Sequence, residues 1–329
     1  SYGQGRINPA YFYGVFDPND MRRDVSITMT GSNGKGVEKL IPFVPNSKAE
    51  GGGLTLNKWD ENRQANPWVA AQRKSGINGP YMRMSEVYLG YAEVCAALGD
   101  VVTGKQYLKT VRERSFPQGL ANTDAFIASF GNDLVRAIIE ERGFEYAGEG
   151  DRRWTLIRSG YLPEDIKRIK DMTKAMMDGL ATKGYYEFEN GNIISAYIWT
   201  KLVDAKTIYG HRLTAQCPTD KVNDPVLYPG WRGQKDNWEE MGLNYGSSTP
   251  ATNLAIKGLF EIVSEEEAAS LESQGYTKVN WGIDLVDNRD EYDKYLFWDY
   301  DYVSAPIYLW PFTPNVMAAG GFTNGRSEE

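Results

Sequence analysis

The chain has 329 residues, enough for one large domain or two ordinary ones, and its hydrophobic fraction of 41% suffices for a buried core. A formal net charge of −8, with no basic run, argues against nucleic acid, whose binding draws on concentrated Lys and Arg. No apolar run approaches the roughly 20 residues of a membrane-spanning helix, and Ser1-Tyr2-Gly3-Gln4-Gly5 is no signal peptide, so an export signal or lipid anchor is expected outside this chain.

Residues 1–79 carry turn signals at Asn8-Pro9, Asp17-Pro18, Gly51-Gly52-Gly53 and Asn66-Pro67, around one extended-looking run from Asp24 to Thr30. A loop-rich segment with a hairpin is expected. The clearest helix opens at Pro80, with Met84, Val87, Tyr88, Tyr91, Cys95 and Leu98 recurring at helical spacing as one apolar stripe, and Gly99-Asp100 ends it. A second helix over about 103–114 shows Tyr107, Leu108 and Val111 on one face, which makes an antiparallel helical hairpin. Tyr88-x-x-Tyr91-Ala92 followed by Ala96-Ala97-Leu98-Gly99-Asp100 looks like one tetratricopeptide-type repeat. A single copy needs stacked neighbours, so partner helices are expected upstream.

A third helix is expected from about Asp124, or at least Asn132, to Ala147, with Leu134, Val135, Ile138, Ile139 and Tyr146 on its apolar arc. Arg142 and Glu145 project from the same arc, and an unpaired buried charge costs several kcal/mol. Both are therefore expected to be paired inside. Residues 155–183 read as one or two helices, 184–255 mostly as loop, and Ser264-Glu265-Glu266-Glu267 as a helix start running to about Gln274 before Gly275. The tail after Tyr295 is irregular and aromatic.

Three blocks in order carry a resemblance. Tyr81 to Glu93, containing Arg83, Glu86 and Glu93, is followed by Val111-Arg112-Glu113-Arg114; Ile139 to Arg158 contains Arg142, Glu145, Glu149 and Arg153; and Pro306 to Phe312 is an aromatic-proline stretch. Together they resemble the SusD/RagB family of outer-membrane nutrient-binding lipoproteins, over its C-terminal part. Asp17 to Arg23 fits an acidic and basic stretch upstream of the first block, whereas the family's usual ending near "QNPGY" is replaced by Gly320-Gly321-Phe322-Thr323. The resemblance implies a mainly α fold, a tetratricopeptide-like α-α superhelix with long irregular loops and minor β-hairpins. It implies one domain over 1–329, loop-rich at 1–79, helical at 80–183 and loop-rich again at 184–329, with the N-terminal helical half and lipid anchor absent from this chain. The implied function is capture of glycan, or of peptide, at the cell surface for a SusC-like TonB-dependent transporter, without a cofactor.

With 21 Tyr, 12 Phe and 9 Trp the chain is rich in rings on which a sugar can stack while polar neighbours take its hydroxyls. Trp59 and Trp68, with Arg63 between them, are the preferred ligand residues, joined by Tyr11 and Tyr13. Trp231, Arg232, Trp238 and Tyr245 form a further aromatic loop, and Trp298-Asp299-Tyr300-Asp301-Tyr302 alternates acids with rings in a manner that suits a solvated edge strand or a calcium ion. A glycosidase needs two opposed carboxylates, yet the clustered acids Glu140, Glu141, Glu145 and Glu149 stand beside Arg142, Arg152 and Arg153, which suits ion pairs better. His211 is the only histidine and has no nucleophile elbow beside it, and Gly31 to Gly36 lacks the phosphate-loop spacing. Cys95 and Cys217 match no metal or redox spacing. No catalytic and no metal-ligating residue is assigned.

Overall fold

The computed structural model describes residues 7–32, 38–40, 54–56, 58, 79–204 and 252–287, and the described elements are mainly helical. Asn8 accepts a hydrogen bond from the Ala10 amide at 2.8 Å, and Pro9 supplies a pre-set φ in the first turn of α1 (Pro9–Gly14). After it comes α2 (Arg22–Ser26), then the short strands β1 (Ile27–Thr28), β2 (Thr30–Ser32), β3 (Glu38–Leu40) and β4 (Thr55–Leu56). The expected hairpin is the antiparallel pair β2–β3, with Thr30 opposite Leu40, and β1 pairs with β4. The extended run expected from Asp24 begins later, because Asp20 turns the chain helical by accepting from the Arg22 amide at 3.0 Å.

The hairpin of α3 (Met84–Ala97) and α4 (Val101–Glu113) turns at Gly99, whose φ of 88° suits glycine, and Asp100 caps the second helix by accepting from Thr103 N. Of the apolar stripe expected on the first helix, only Cys95 is buried and Tyr88 half-buried; the rest faces outward. Leu89, Ala92 and Cys95 are buried, whereas Met84, Val87, Tyr91, Val94 and Leu98 are exposed, Leu98 by 81%. The helix is apolar on more than one side, so periodicity alone did not select the side that packs on α4 and on α6.

The third helix starts at the later of the two expected positions, as α6 (Leu134–Glu145), and α5 (Thr123–Ala128) before it is a separate short helix. Gly131 and Asn132 both adopt a φ of 65°, which no helix continues through, and Asp133 starts the next one by accepting from Arg136 N at 3.0 Å. Then follow α7 (Asp151–Ser159) and the long α8 (Leu162–Lys183). The stretch expected to be loop is strand in its described part: β5 (Tyr185–Glu187) pairs with β6 (Ile193–Ser195), and β7 (Tyr197–Asp204) lies between β8 (Thr252–Lys257) and β9 (Thr277–Asn280) in an antiparallel sheet of order β8-β7-β9. Ile194, Ser195, Ala196, Ile198 and Trp199 are all buried, so the run carries no clean alternation that would announce a strand in the sequence. The expected helix start at Ser264 is a full capping box with Glu267 on α9 (Glu265–Ser273), and α10 (Gly282–Asp287) closes the described chain.

At the centre lies α6, with nearly every side chain inside. Ile138 packs among Leu89, Leu108 and Val111; Ile139 among Leu156 and Leu162; Phe144 among Phe16, Met176 and Phe188. Gly143 permits this crowding, since a Cβ there would stand 2.6 Å from an Arg152 nitrogen and 2.7 Å from the Tyr11 hydroxyl. A helix buried all round must also bury its charges, and those of α6 set the character of the interior.

Candidate functional site

Two features meet on α6, a charged scaffold and an aromatic-walled cleft. In the scaffold Glu145 accepts from Arg83 at 2.6 Å, Arg114 at 2.6 Å and Arg22 at 3.1 Å, while Glu141 accepts from Arg22 at 2.6 Å and Arg112 at 3.0 Å. Asp20 holds the other edge of the Arg22 guanidinium at 2.6 Å. Glu149 binds Lys58 at 2.5 Å and Arg83 at 2.8 Å. Glu141 and Glu145 are each 2% exposed or less. Burial opposes ionisation of Glu145, but the guanidiniums of Arg22, Arg114 and Arg83 outweigh it and hold the carboxyl at about 2.

One turn away, Arg142 reaches Glu86 and Asp151, each at 2.7 Å, and Thr155 at 3.2 Å. On the opposite side Glu140 takes Arg152 at 2.8 Å and Arg168 at 3.1 Å, and both guanidiniums also hold Asp165. Desolvation raises the Asp165 carboxyl, yet Arg152 and Arg168 bring it below its ordinary value. Glu93 pairs with Arg158 at the surface, and Arg153 lies half-buried on α7. Arg83, Arg142, Glu145 and Glu149 of the motif blocks are thus each tied to partners, as a buried ion must be.

The cleft, of about 780 Å3, opens between the turn after α1, helices α5 and α8, and strand β5. Phe144 and Phe188 are its buried floor, and the half-exposed rings of Phe126, Phe130 and Tyr186 are its walls. Gly14 lets the Phe188 ring close against α1, for a Cβ there would stand 2.4 Å from it. At the inner end Arg112 lies 3.8 Å above the Phe126 ring centroid. Among the described residues no group of three His, Cys, Asp or Glu could hold a metal ion, and no helix is long and apolar enough to cross a membrane.

The residues expected to contact ligand divide. Tyr13 is 4% exposed and packs edge-on to Phe260 and Trp281, so it offers no face to a sugar. Tyr11 points its hydroxyl into the interior beside Arg152, burial pushing the phenol above its ordinary value, and its ring meets Phe12 and Phe16. Tyr13 is thereby corrected to a core residue and Tyr11 to a half-buried one packed against the core, because the helical turn that holds them faces α6 and α8. Trp59, Trp68 and Arg63 lie outside the described residues, as do Trp231, Arg232, Trp238, Tyr245, His211, Cys217, the Trp298–Tyr302 cluster and the Pro306–Phe312 block. The cleft itself escaped the sequence reading, since its walls come from four separated segments; only the paired acids and arginines left a mark.

Comparison with known proteins gives a consistent answer. A family model described as SusD family matches residues 4–312. A protein of Formosa agariphila named SusD-like protein P25 is 28% identical over 160 residues, which is 48% of this chain and 26% of that protein. The matched stretch therefore spans about a quarter of the relative's length. No solved structure matches the chain.

Proposed function

The chain belongs to the SusD family, and from that membership we propose that it is a capture module for nutrient uptake, binding glycan at the cell surface and passing it to a SusC-like TonB-dependent transporter. It does so as part of an outer-membrane lipoprotein. The supporting observation is a concave, ring-walled cleft whose buried acid, Glu140, is already held by two arginines, while Asp17 and Glu189, unpaired among the described residues, stand at its rim. General acid or base work needs a carboxyl free to exchange its proton near the operating pH. Glu140 is held between Arg152 and Arg168, Glu141 between Arg22 and Arg112, and Glu145 among three guanidiniums. That favours binding over hydrolysis by opposed carboxylates.

The tetratricopeptide-like superhelix belongs to the same reading. Supporting it is the exposed row Met84, Val87, Tyr91, Val94 and Leu98 on α3, continued by Val101 and Val102 on α4. Helical repeats present such a face to the next repeat. Trp59, Trp68 and Arg63 are proposed as a further sugar-contacting group.

Incubation with soluble polysaccharides, with retention and new reducing ends measured in the same samples, tests this function. We expect retention without cleavage, and at least tenfold weaker retention for the Trp59→Ala, Trp68→Ala double variant at unchanged melting temperature, in line with ring stacking worth about 1 kcal/mol or more per aromatic contact. New reducing ends would replace capture by catalysis.

A further inference from the structure

The mouth of the cleft is acidic. Asp17, Asp171 and Glu189 stand at its rim with the amides of Asn122 and Asn190 and the hydroxyl of Ser129. Among the described residues neither Asp17 nor Glu189 has an ion-pair partner, and Asp171 pairs with Lys167 on its own helix. The two cations that line the cleft bring no unmatched positive charge. Arg112 is bonded to Glu141 and to the Ala121 carbonyl, and Arg168 to Glu140 and Asp165. The field at the entrance is therefore negative, and it repels an anion before any contact is made.

Inside, the half-exposed rings of Phe126, Phe130 and Tyr186 offer apolar faces, and the volume of about 780 Å3 lies within the ~300–1,000 Å3 range of small-molecule sites. A sugar ring meets both demands, with its C–H face against an aromatic ring and its hydroxyls donated outward to carboxylates.

We propose that this cleft is a saccharide subsite that takes the end of an uncharged glycan and rejects uronate-bearing or sulfated chains. Phe130 and Tyr186 stack the sugar, and Asp17 and Glu189 accept its hydroxyls. The proposal rests on the glycan-capture reading and deepens it, by assigning a charge class and a place in the fold.

Titration calorimetry on the whole chain tests it, with neutral cello-, xylo-, laminari- and malto-oligosaccharides set against oligogalacturonate and sulfated oligosaccharide. We expect at least one neutral series to bind and both anionic ones not to. Phe130→Ala should weaken the neutral ligand at least tenfold, and the exposed Glu189→Lys, which cannot disturb the core, should weaken it while admitting oligogalacturonate. Neutral binding that survives Phe130→Ala and Glu189→Lys but is lost on Trp59→Ala would overturn the cleft assignment and leave glycan capture standing. Preference for the anionic series would overturn the charge class. Absence of binding to every saccharide would overturn both the subsite and the capture reading.

Discussion

Glu145→Gln should destabilise the chain by about 3–5 kcal/mol, the usual cost of breaking a buried ion pair from one side. The amide keeps the shape of the side chain and removes its charge. Arg83, Arg22 and Arg114 then face a neutral group at 2.6 to 3.1 Å. Arg114 is 57% exposed and can turn to water, but Arg22, 11% exposed, cannot. Chemical denaturation of the two proteins side by side measures the difference, and equal midpoints would contradict the burial argument. The same residue gives a pH signature. Its folded carboxyl sits at about 2 against an ordinary 4.5, so its contribution is fully present above about 4.5 and is lost as the pH falls towards 2. The size of that contribution is on the order of 3 kcal/mol. Wild type should therefore lose stability through this window more steeply than Glu145→Gln does.

Arg142→Ala should cost about 3 kcal/mol, near the lower end of the same range because its partners are partly wetted. Asp151 is 20% and Glu86 38% exposed, so each regains some hydration when the guanidinium is gone, while the nearly buried space left by the arginine does not refill. Lysine is a poor substitute, since one Nη contacts both carboxylates while Nε reaches Thr155, a fork that an ammonium cannot copy. Melting curves of wild type, Arg142→Lys and Arg142→Ala should fall in that order. A lysine variant as stable as wild type would mean that charge alone, not geometry, holds this corner.

The legible parts of the chain were those where one local rule decides the outcome. The capping box at Ser264, the turn at Gly99 and the buried charges Arg142 and Glu145 could each be read from a few neighbouring residues. The SusD resemblance could be read from the charged blocks for the same reason. Where several faces competed, local reading failed: α3 carries apolar residues on two sides, and only the fold selects Leu89 and Ala92 for burial over Met84, Val87 and Leu98. The strand at Tyr197–Asp204 was missed because its pairing partners lie at residues 252–257 and 277–280, far along the chain. The cleft depended on chain path too, and no single segment announces it.

The bonds around α6 differ greatly in how much chain they enclose, and that orders their formation in time. Arg152 and Arg168 reach Glu140 across 12 and 28 residues, whereas Arg22 reaches Glu141 across 119, Asn8 reaches Thr173 across 165, and Asn192 reaches the Tyr13 carbonyl across 179. Closing a long loop costs more entropy than closing a short one and slows assembly. During refolding, α6, α7 and α8 should gain amide protection first in pulsed hydrogen exchange, and α1 should lag behind them. The opening segment then behaves as a clasp, arriving last and completing a helical body already formed without it.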